Sequence, residues 1–216
     1  MGELVVIRYL YADALKEAPL LAETMFLDRA DQFKTRLNWD VTVNDNGFER
    51  DEYDDLNPLY VIYQKPDGRH GGSMRLLPST GRTMVNEHFT NILGGGEIRS
   101  PHIWECTRFC LSQQAEPRTA AALMLAGGEV MENFLVQHYV GVFDARMVRI
   151  YRMIGASPEV LGSSGEGRAK ISVGLWSFTK EARARVAQKA GISAALSHHW
   201  FERAFGATTA APAEIT

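Results

Sequence analysis

Arg29 sits between Phe26 and Phe33 at the three-to-four spacing of one helical face. A guanidinium on or beside a buried face is tolerated only when a carboxylate comes to meet it, because an unpaired buried charge is strongly destabilising. The sequence offers Asp51 and Asp54 in ERDEYDD and Glu105 in WECTRF, and it adds positive charge at Arg75 in SMRLLPS and at Arg108. Gathered together, these groups form a potential buried ion network, and carboxylates set in such a network can exchange a proton or balance a charged ligand. Taken singly, each signal has a plainer reading. Phe33 and Trp39 read as core aromatics, residues 49–55 as a solvated acidic loop, and Arg75 or Arg108 as edge residues reaching for water.

The elements that must position these groups follow from periodicity. Residues 4–10 read as a first strand, and apolar residues at Phe26, Ala30, Phe33 and Leu37 mark a helix over residues 19–37. LYVIYQK, the Asp67-Gly68 turn and GGSMRLLP predict two antiparallel strands, and residues 102–111 a further one. Pro117 is placed to open a helix at its first position, with Leu123, Met124, Gly127, Val130, Met131, Phe134 and Leu135 as its apolar stripe. Beyond it come a strand at 139–143, a helix at 146–154, strands near Val160 and at 171–178, and a last helix from about Thr179. Strands and helices in this irregular order, without GxGxxG or GxxxxGK[ST], predict an α+β fold whose mixed, mostly antiparallel twisted central sheet is flanked by helices. One parity problem arises: Glu105 and Arg108 are three apart, so a regular strand would point them to opposite faces. A β-bulge between them would bring them back to one face.

Bulk properties narrow the classes. The chain has 216 residues, 45% of them hydrophobic and 23% charged, enough for one sizeable core, and a single domain is expected over 1–206 with a disordered tail at 207–216. No apolar run approaches the roughly 20 residues of a membrane span. The N-terminal stretch lacks a basic start and a small-residue cleavage site, so a cytoplasmic location is expected. A net charge of −3 gives no general attraction to nucleic acid, although Arg146, Arg149, Arg152, Arg168 and Lys170 make one region locally basic. The two cysteines, Cys106 and Cys110, read as reduced thiols, and the adjacent His198 and His199 as surface positions on a helix; no metal is assigned.

Four linked blocks, RADQFKTRLNW, ERDEYDD, GGSMRLLPSTGRTM and IWECTRFCL, resemble in order and spacing the signature segments of the acyl-homoserine-lactone synthases, the LuxI-type autoinducer synthases. The resemblance is strong over the first half of the chain and rests on element order in the second. It places the family's characteristic residues at Arg29, Phe33, Trp39, Asp51, Asp54, Arg75, Glu105 and Arg108. It also implies a three-layer sandwich related to the GNAT N-acyltransferases, with a β-bulge between Glu105 and Arg108. The segment SQQAEPRT, where an ordinary GNAT enzyme has its pyrophosphate loop, contains no glycine. The implied substrates are S-adenosylmethionine and an acyl thioester on acyl carrier protein or coenzyme A, with no cofactor and a monomer by default.

That resemblance implies Glu105 as general base, with Arg75 and Arg108 completing the catalytic set. Phe33, Trp39, Thr107, Phe109, Asp51, Asp54 and Arg29 would hold S-adenosylmethionine. Leu123, Met124, Gly127, Met131, Phe134, Gly141 and Phe143 would line the acyl chain, and Arg146, Arg149, Arg152 and Lys170 would dock the carrier or the coenzyme. Gly141 stands where relatives preferring a 3-oxo chain often carry threonine, so an acyl group without that substituent is expected. A GNAT-like transferase acting on another amine and a non-catalytic acyl-ligand sensor remain alternatives at this point.

Overall fold

The computed structural model describes residues 5–206; the expected tail at 207–216 and Leu4 of the expected first strand lie outside the described residues. In chain order the elements are β1 (Val6–Tyr11), α1 (Pro19–Ala30), β2 (Leu59–Gln64), β3 (His70–Pro78), α2 (Met84–His88), β4 (Ile103–Leu111) and α3 (Thr119–Asn133). They continue with β5 (His138–Asp144), α4 (Ala145–Ile154), β6 (Glu159–Ser164), β7 (Ile171–Trp176), α5 (Lys180–Ala190) and α6 (Ala194–Phe205). The strands form a seven-stranded sheet in the order β1-β2-β3-β4-β5-β7-β6, antiparallel at every junction except β4 with β5.

The run LYVIYQ of β2 is apolar without alternation because helices cover both faces of the sheet there. On one side Leu21, Met25 and Phe26 of α1 pack on Tyr60 and Ile62. On the other, Leu123, Ala126 and Val130 of α3 pack on Val61, Met74 and Leu76, and α6 closes this layer with Phe201. The mixed sheet between helical layers is the expected α+β arrangement.

One irregularity of the sheet organises the molecule. β4 and β5 pair only from Ile103 with His138 to Glu105 with Val140. Past that point β4 remains bonded to β3 and β5 to β7, so the two central strands part like the arms of a V.

Several boundaries differ from expectation. The helix over 19–37 is α-helical only to Ala30 and then widens into a π turn over Asp31–Arg36. The extra residue in that turn lets Phe33 stay buried while the Gln32 amide reaches β4, donating to the Phe109 carbonyl at 2.9 Å and accepting from the Leu111 N–H at 2.9 Å. α3 begins two residues after Pro117, which lies in the preceding turn. The single last helix is two, separated at Gly191, whose φ of 65° reverses the chain as a left-handed C-cap. Short α2, with too few residues to display a period, was not expected from the sequence.

Candidate active site

The expected ion network exists, with one member changed. Arg29 forms a two-pronged pair with Asp54, 2.9 Å at each contact, and its Nε donates to Glu49 at 2.6 Å. Arg75 reaches Asp54 at 2.8 Å and Asp51 at 3.0 Å, and Arg108 reaches Glu49 at 2.9 Å and Asp51 at 2.7 Å. Three guanidinia thus meet three carboxylates, and the buried charge balances. Burial alone would raise the carboxyl groups, but Arg29 and Arg75, with the Tyr60 hydroxyl, hold Asp54 well below the usual range; Arg75 and Arg108 do the same for Asp51. Asp51 and Arg108 form the network's open edge, with side chains 13% and 11% exposed against 0–1% for Arg29, Glu49, Asp54 and Arg75.

Glu105 is not a partner of Arg29, which corrects one of the three sequence candidates. Glu49, the first residue of ERDEYDD, takes that place: the backbone N–H of Glu49 donates to the Phe26 carbonyl and lays this loop across α1. The Glu105 carboxylate instead accepts from the backbone N–H groups of Met84 at 3.1 Å and Val85 at 2.6 Å, at the start of α2. Burial pushes its pKa up to about 7, against the opposing pull of those two donors and of the Arg75 charge. Glu105 is fully buried behind the wall that Met84 and Thr107 present to the cavity, and the Thr107 hydroxyl accepts from Arg75 Nε at 3.0 Å.

The register of β3 against β4 slips by one residue between Ser73–Cys110 and Arg75–Thr107, leaving an extra residue in β4 opposite Met74. The bulge is at Arg108 itself, with φ of 50°, and not between Glu105 and Arg108 as the resemblance implied. Its effect is the one the parity problem required. Arg108 turns to the face shared by Glu105 and Thr107, and its guanidinium lies 5.5 Å from the Phe33 ring. Phe33 is stacked on Trp39, with ring centroids 5.2 Å apart and planes at 11°, and the Trp39 N–H to Phe33 carbonyl bond of 2.8 Å fixes the chain between them.

A cavity of about 500 Å³ begins at this aromatic pair and passes through the V between β4 and β5. Of the sequence-expected residues, Phe33, Trp39, Thr107, Arg108 and Phe109 line one end, and Met124, Gly127, Met131, Gly141, Phe143 and Arg146 line the other. Leu123 and Phe134 do not. Leu123 projects from α3 onto β3, against the bare Cα of Gly72, and Phe134 follows the helix and stacks on Trp104 beside Phe201 and Phe205. They share the sequence stripe with Met124 and Met131 but fall on the core side of it, because the stripe is wide enough to serve both core and cavity. Arg149, Arg152 and Lys170 are exposed and off the cavity lining, whereas Arg146 stands at its rim and pairs with Asp144.

Sequence reasoning missed Glu49, Gln32 and the wall made by Tyr139, Tyr151, Trp176 and Phe178. An alternation count over residues 171–178 would have put Trp176 and Phe178 on one face, which is the only local signal they carry.

Comparison with known proteins agrees with this architecture. Residues 13–186 match the family described as autoinducer synthase. An acyl-homoserine-lactone synthase of Rhizobium etli is 38% identical over 183 residues, covering 82% of this chain and 86% of the relative. The fold superposes on a CoA-dependent acyl-homoserine lactone synthase, BjaI, solved with SAM and isopentyl-CoA, at a TM-score of 0.77 and 18% identity over 92% of this chain and 99% of that one. It also matches a putative N-acetyltransferase from Lactobacillus plantarum at a TM-score of 0.53 and 13% identity, over 81% and 98% of the two chains, so the sheet is of the N-acyltransferase type. With its sequence matched from end to end of the cleft-forming region and its sheet split at the same junction that the charged network flanks, the chain belongs to the autoinducer synthase family, the acyl-homoserine-lactone synthases.

Proposed function

We propose that this chain joins the α-amine of S-adenosylmethionine to an acyl thioester and then closes the lactone, releasing methylthioadenosine. The observation that carries the reading is the open edge of the charged network: Arg108, paired with Asp51, lines the cavity against the stacked Phe33–Trp39 pair where the cavity enters the V. A sulfonium nucleoside carries a positive centre and a flat base, and an aromatic platform beside a partly open carboxylate is suited to both. Arg29, Arg75 and the buried Asp54 fix Asp51 in place instead of meeting the ligand themselves.

In the first step the amine must lose a proton before its nitrogen attacks the thioester carbon; the C–N bond forms, the C–S bond breaks and the thiol leaves. Glu105, with a pKa near neutrality, takes that proton through a water reaching past Thr107 and Met84. Backbone N–H groups along β4 that lose their β5 partner past Glu105 support stabilisation of the oxyanion. In the second step a carboxylate oxygen of the methionyl part attacks its own γ-carbon, the carbon–sulfur bond breaks, and neutral methylthioadenosine departs. Holding both ends of the substrate in one cleft supplies the advantage of an intramolecular reaction.

The acyl chain lies along Met124, Gly127, Met131, Gly141 and Phe143, and Gly141 offers no hydroxyl to a 3-oxo group. The anionic part of the donor, whether a carrier protein or the phosphates of coenzyme A, meets the basic face of Arg146, Arg149, Arg152 and Lys170. We place the reaction in the cytoplasm, where free thiols such as Cys106 and Cys110 persist.

The test is to incubate the protein with S-adenosylmethionine and a panel of acyl-carrier and acyl-coenzyme thioesters and to weigh the products. The expected result is acyl-homoserine lactone with stoichiometric methylthioadenosine. Acylation of another amine without methylthioadenosine would overturn the reading. Glu105→Gln should abolish lactone formation with an unchanged melting profile, and near-normal turnover by it would reject the role of Glu105.

A further inference from the structure

We propose that Trp176, with Phe178 two residues beyond it, is the rigid wall that sets the length of acyl chain accepted. This inference rests on the synthase reading above and adds a specificity-determining pair to it. Both side chains line the cavity, on the arm of the V that carries β5 and β7. The Trp176 indole lies across Gly141: a β-carbon built there would stand 3.3 Å from the indole on one side and 2.8 Å from the Cys106 carbonyl oxygen on the other. The ring therefore packs against the bare Cα of Gly141, directly beside the point where β4 and β5 part.

The indole cannot swing aside cheaply. Its Nε1–H donates to the Ala156 carbonyl at 2.9 Å, and its edges meet Phe143 and Tyr151 in T-shaped contacts with centroids 5.6 and 5.1 Å away. Turning it out of the cavity would strand the indole donor and give up both aromatic contacts, each loss destabilising. Phe178 is seated by packing alone. Its ring lies on the bare backbone of Gly128 in α3, where a β-carbon would come within 2.0 Å of it, so the ring occupies the place of a side chain on the helix. One ring thus stands against β5 and the other against α3, both on the cavity wall. An acyl chain that enters the cavity past Gly141 therefore runs along these two rings.

The experiment offers the wild-type protein, Trp176→Ala and Phe178→Ala an equimolar mixture of hexanoyl, octanoyl, decanoyl and dodecanoyl thioesters with S-adenosylmethionine, and reads lactone ratios by mass spectrometry. Wild type should favour hexanoyl and octanoyl over dodecanoyl products. Each variant should raise the dodecanoyl-to-hexanoyl ratio by about ten-fold or more, the factor expected when two further methylenes find an apolar site. A wild-type preference for dodecanoyl, or unchanged ratios in whichever variant retains the wild-type circular dichroism spectrum, would overturn the wall. Because the wild-type ratio alone can refute the idea, misfolded variants would not shield it. Absence of lactone from wild type with every donor would instead overturn the synthase reading itself.

Discussion

Glu105 and the carboxylates of the charged network titrate in opposite directions, and the difference follows from what each one touches. Asp51 and Asp54 face guanidinia; Glu105 faces two backbone N–H groups inside a buried pocket. The ordinary value for the two aspartates is 3.8 and the folded protein holds both lower, so their contribution to stability is whole above 3.8 and is lost as pH falls through the folded values. Glu105 is raised from 4.5 to about 7, so its contribution is whole below 4.5 and is lost as pH rises through 7. A general base works only when ionised. The rate of lactone formation at saturating substrates should therefore climb about ten-fold per pH unit below 7 and level off above it. A flat profile between pH 5.5 and 8, roughly 1.5 units below and 1 above that value, would remove Glu105 from proton transfer. Glu49 invites a different measurement, because Glu49→Gln leaves Arg29 and Arg108 facing one carboxylate fewer at a position where Arg29 and Glu49 are fully buried. The expected cost is about 3–5 kcal/mol of unfolding free energy in urea titrations. A loss under about 1 kcal/mol, the worth of a surface ion pair, would mean that the network is not the buried assembly described.

The elements that carry these residues were legible in the sequence to unequal degrees. α1 and α3 announce themselves by period, β2 and β3 by their runs on either side of the Asp67-Gly68 turn, and a shared face for Glu105 and Arg108 required a bulge in β4. What the sequence does not encode locally is where a long-range contact bends an element. The π turn after Ala30 exists because Gln32 finds unpaired backbone groups on β4, seventy-seven and seventy-nine residues away, and no local pattern signals such a partner. Glu49 escaped for a related reason: in a loop crowded with acids, which one is folded inward depends on where Arg29 and Arg108 arrive. Leu123 and Phe134 read as cavity wall in the sequence because an apolar stripe does not say which of its edges faces a void. The meeting of β4 and β5 offers a direct test of the splayed geometry. Gly141→Thr would set a β-carbon 2.8 Å from the Cys106 carbonyl oxygen, and neither strand backbone can yield by a rotamer change. Overpacking of this kind should cost about 1–3 kcal/mol in chemical denaturation. Wild-type stability in that variant would show that the strands stand further apart than described.

At the scale of the whole molecule, the distribution of charge matters more than its sum. The net charge is −3, yet α4 presents Arg149 and Arg152 to solvent, with Arg168 and Lys170 in the segment leading to β7, next to the cavity rim formed by Arg146, Met147 and Ile150. Val148 and Met153 are exposed on the same short helix, 43% and 62%, so the surface offers apolar contact as well as positive charge. A macromolecular donor with an acidic surface would use both, whereas coenzyme A would use chiefly the positions nearest the rim. The two donors therefore separate on a charge reversal placed away from the rim. Arg149→Glu combined with Arg152→Glu should lower kcat/KM for an acyl carrier protein donor by about ten-fold or more at low ionic strength, through association, with kcat little changed. The same variant should lose far less with the corresponding acyl-coenzyme A. Raising the salt concentration should shrink the difference between wild type and variant, because exposed charges more than about 10 Å from their partners are largely screened near 0.1 M. Equal losses with both donors would assign the basic face to phosphate binding. No loss with either would make α4 a solvated helix whose arginines only keep it apart from its neighbours, and the donor would have to reach the V from the side of the Phe33–Trp39 pair.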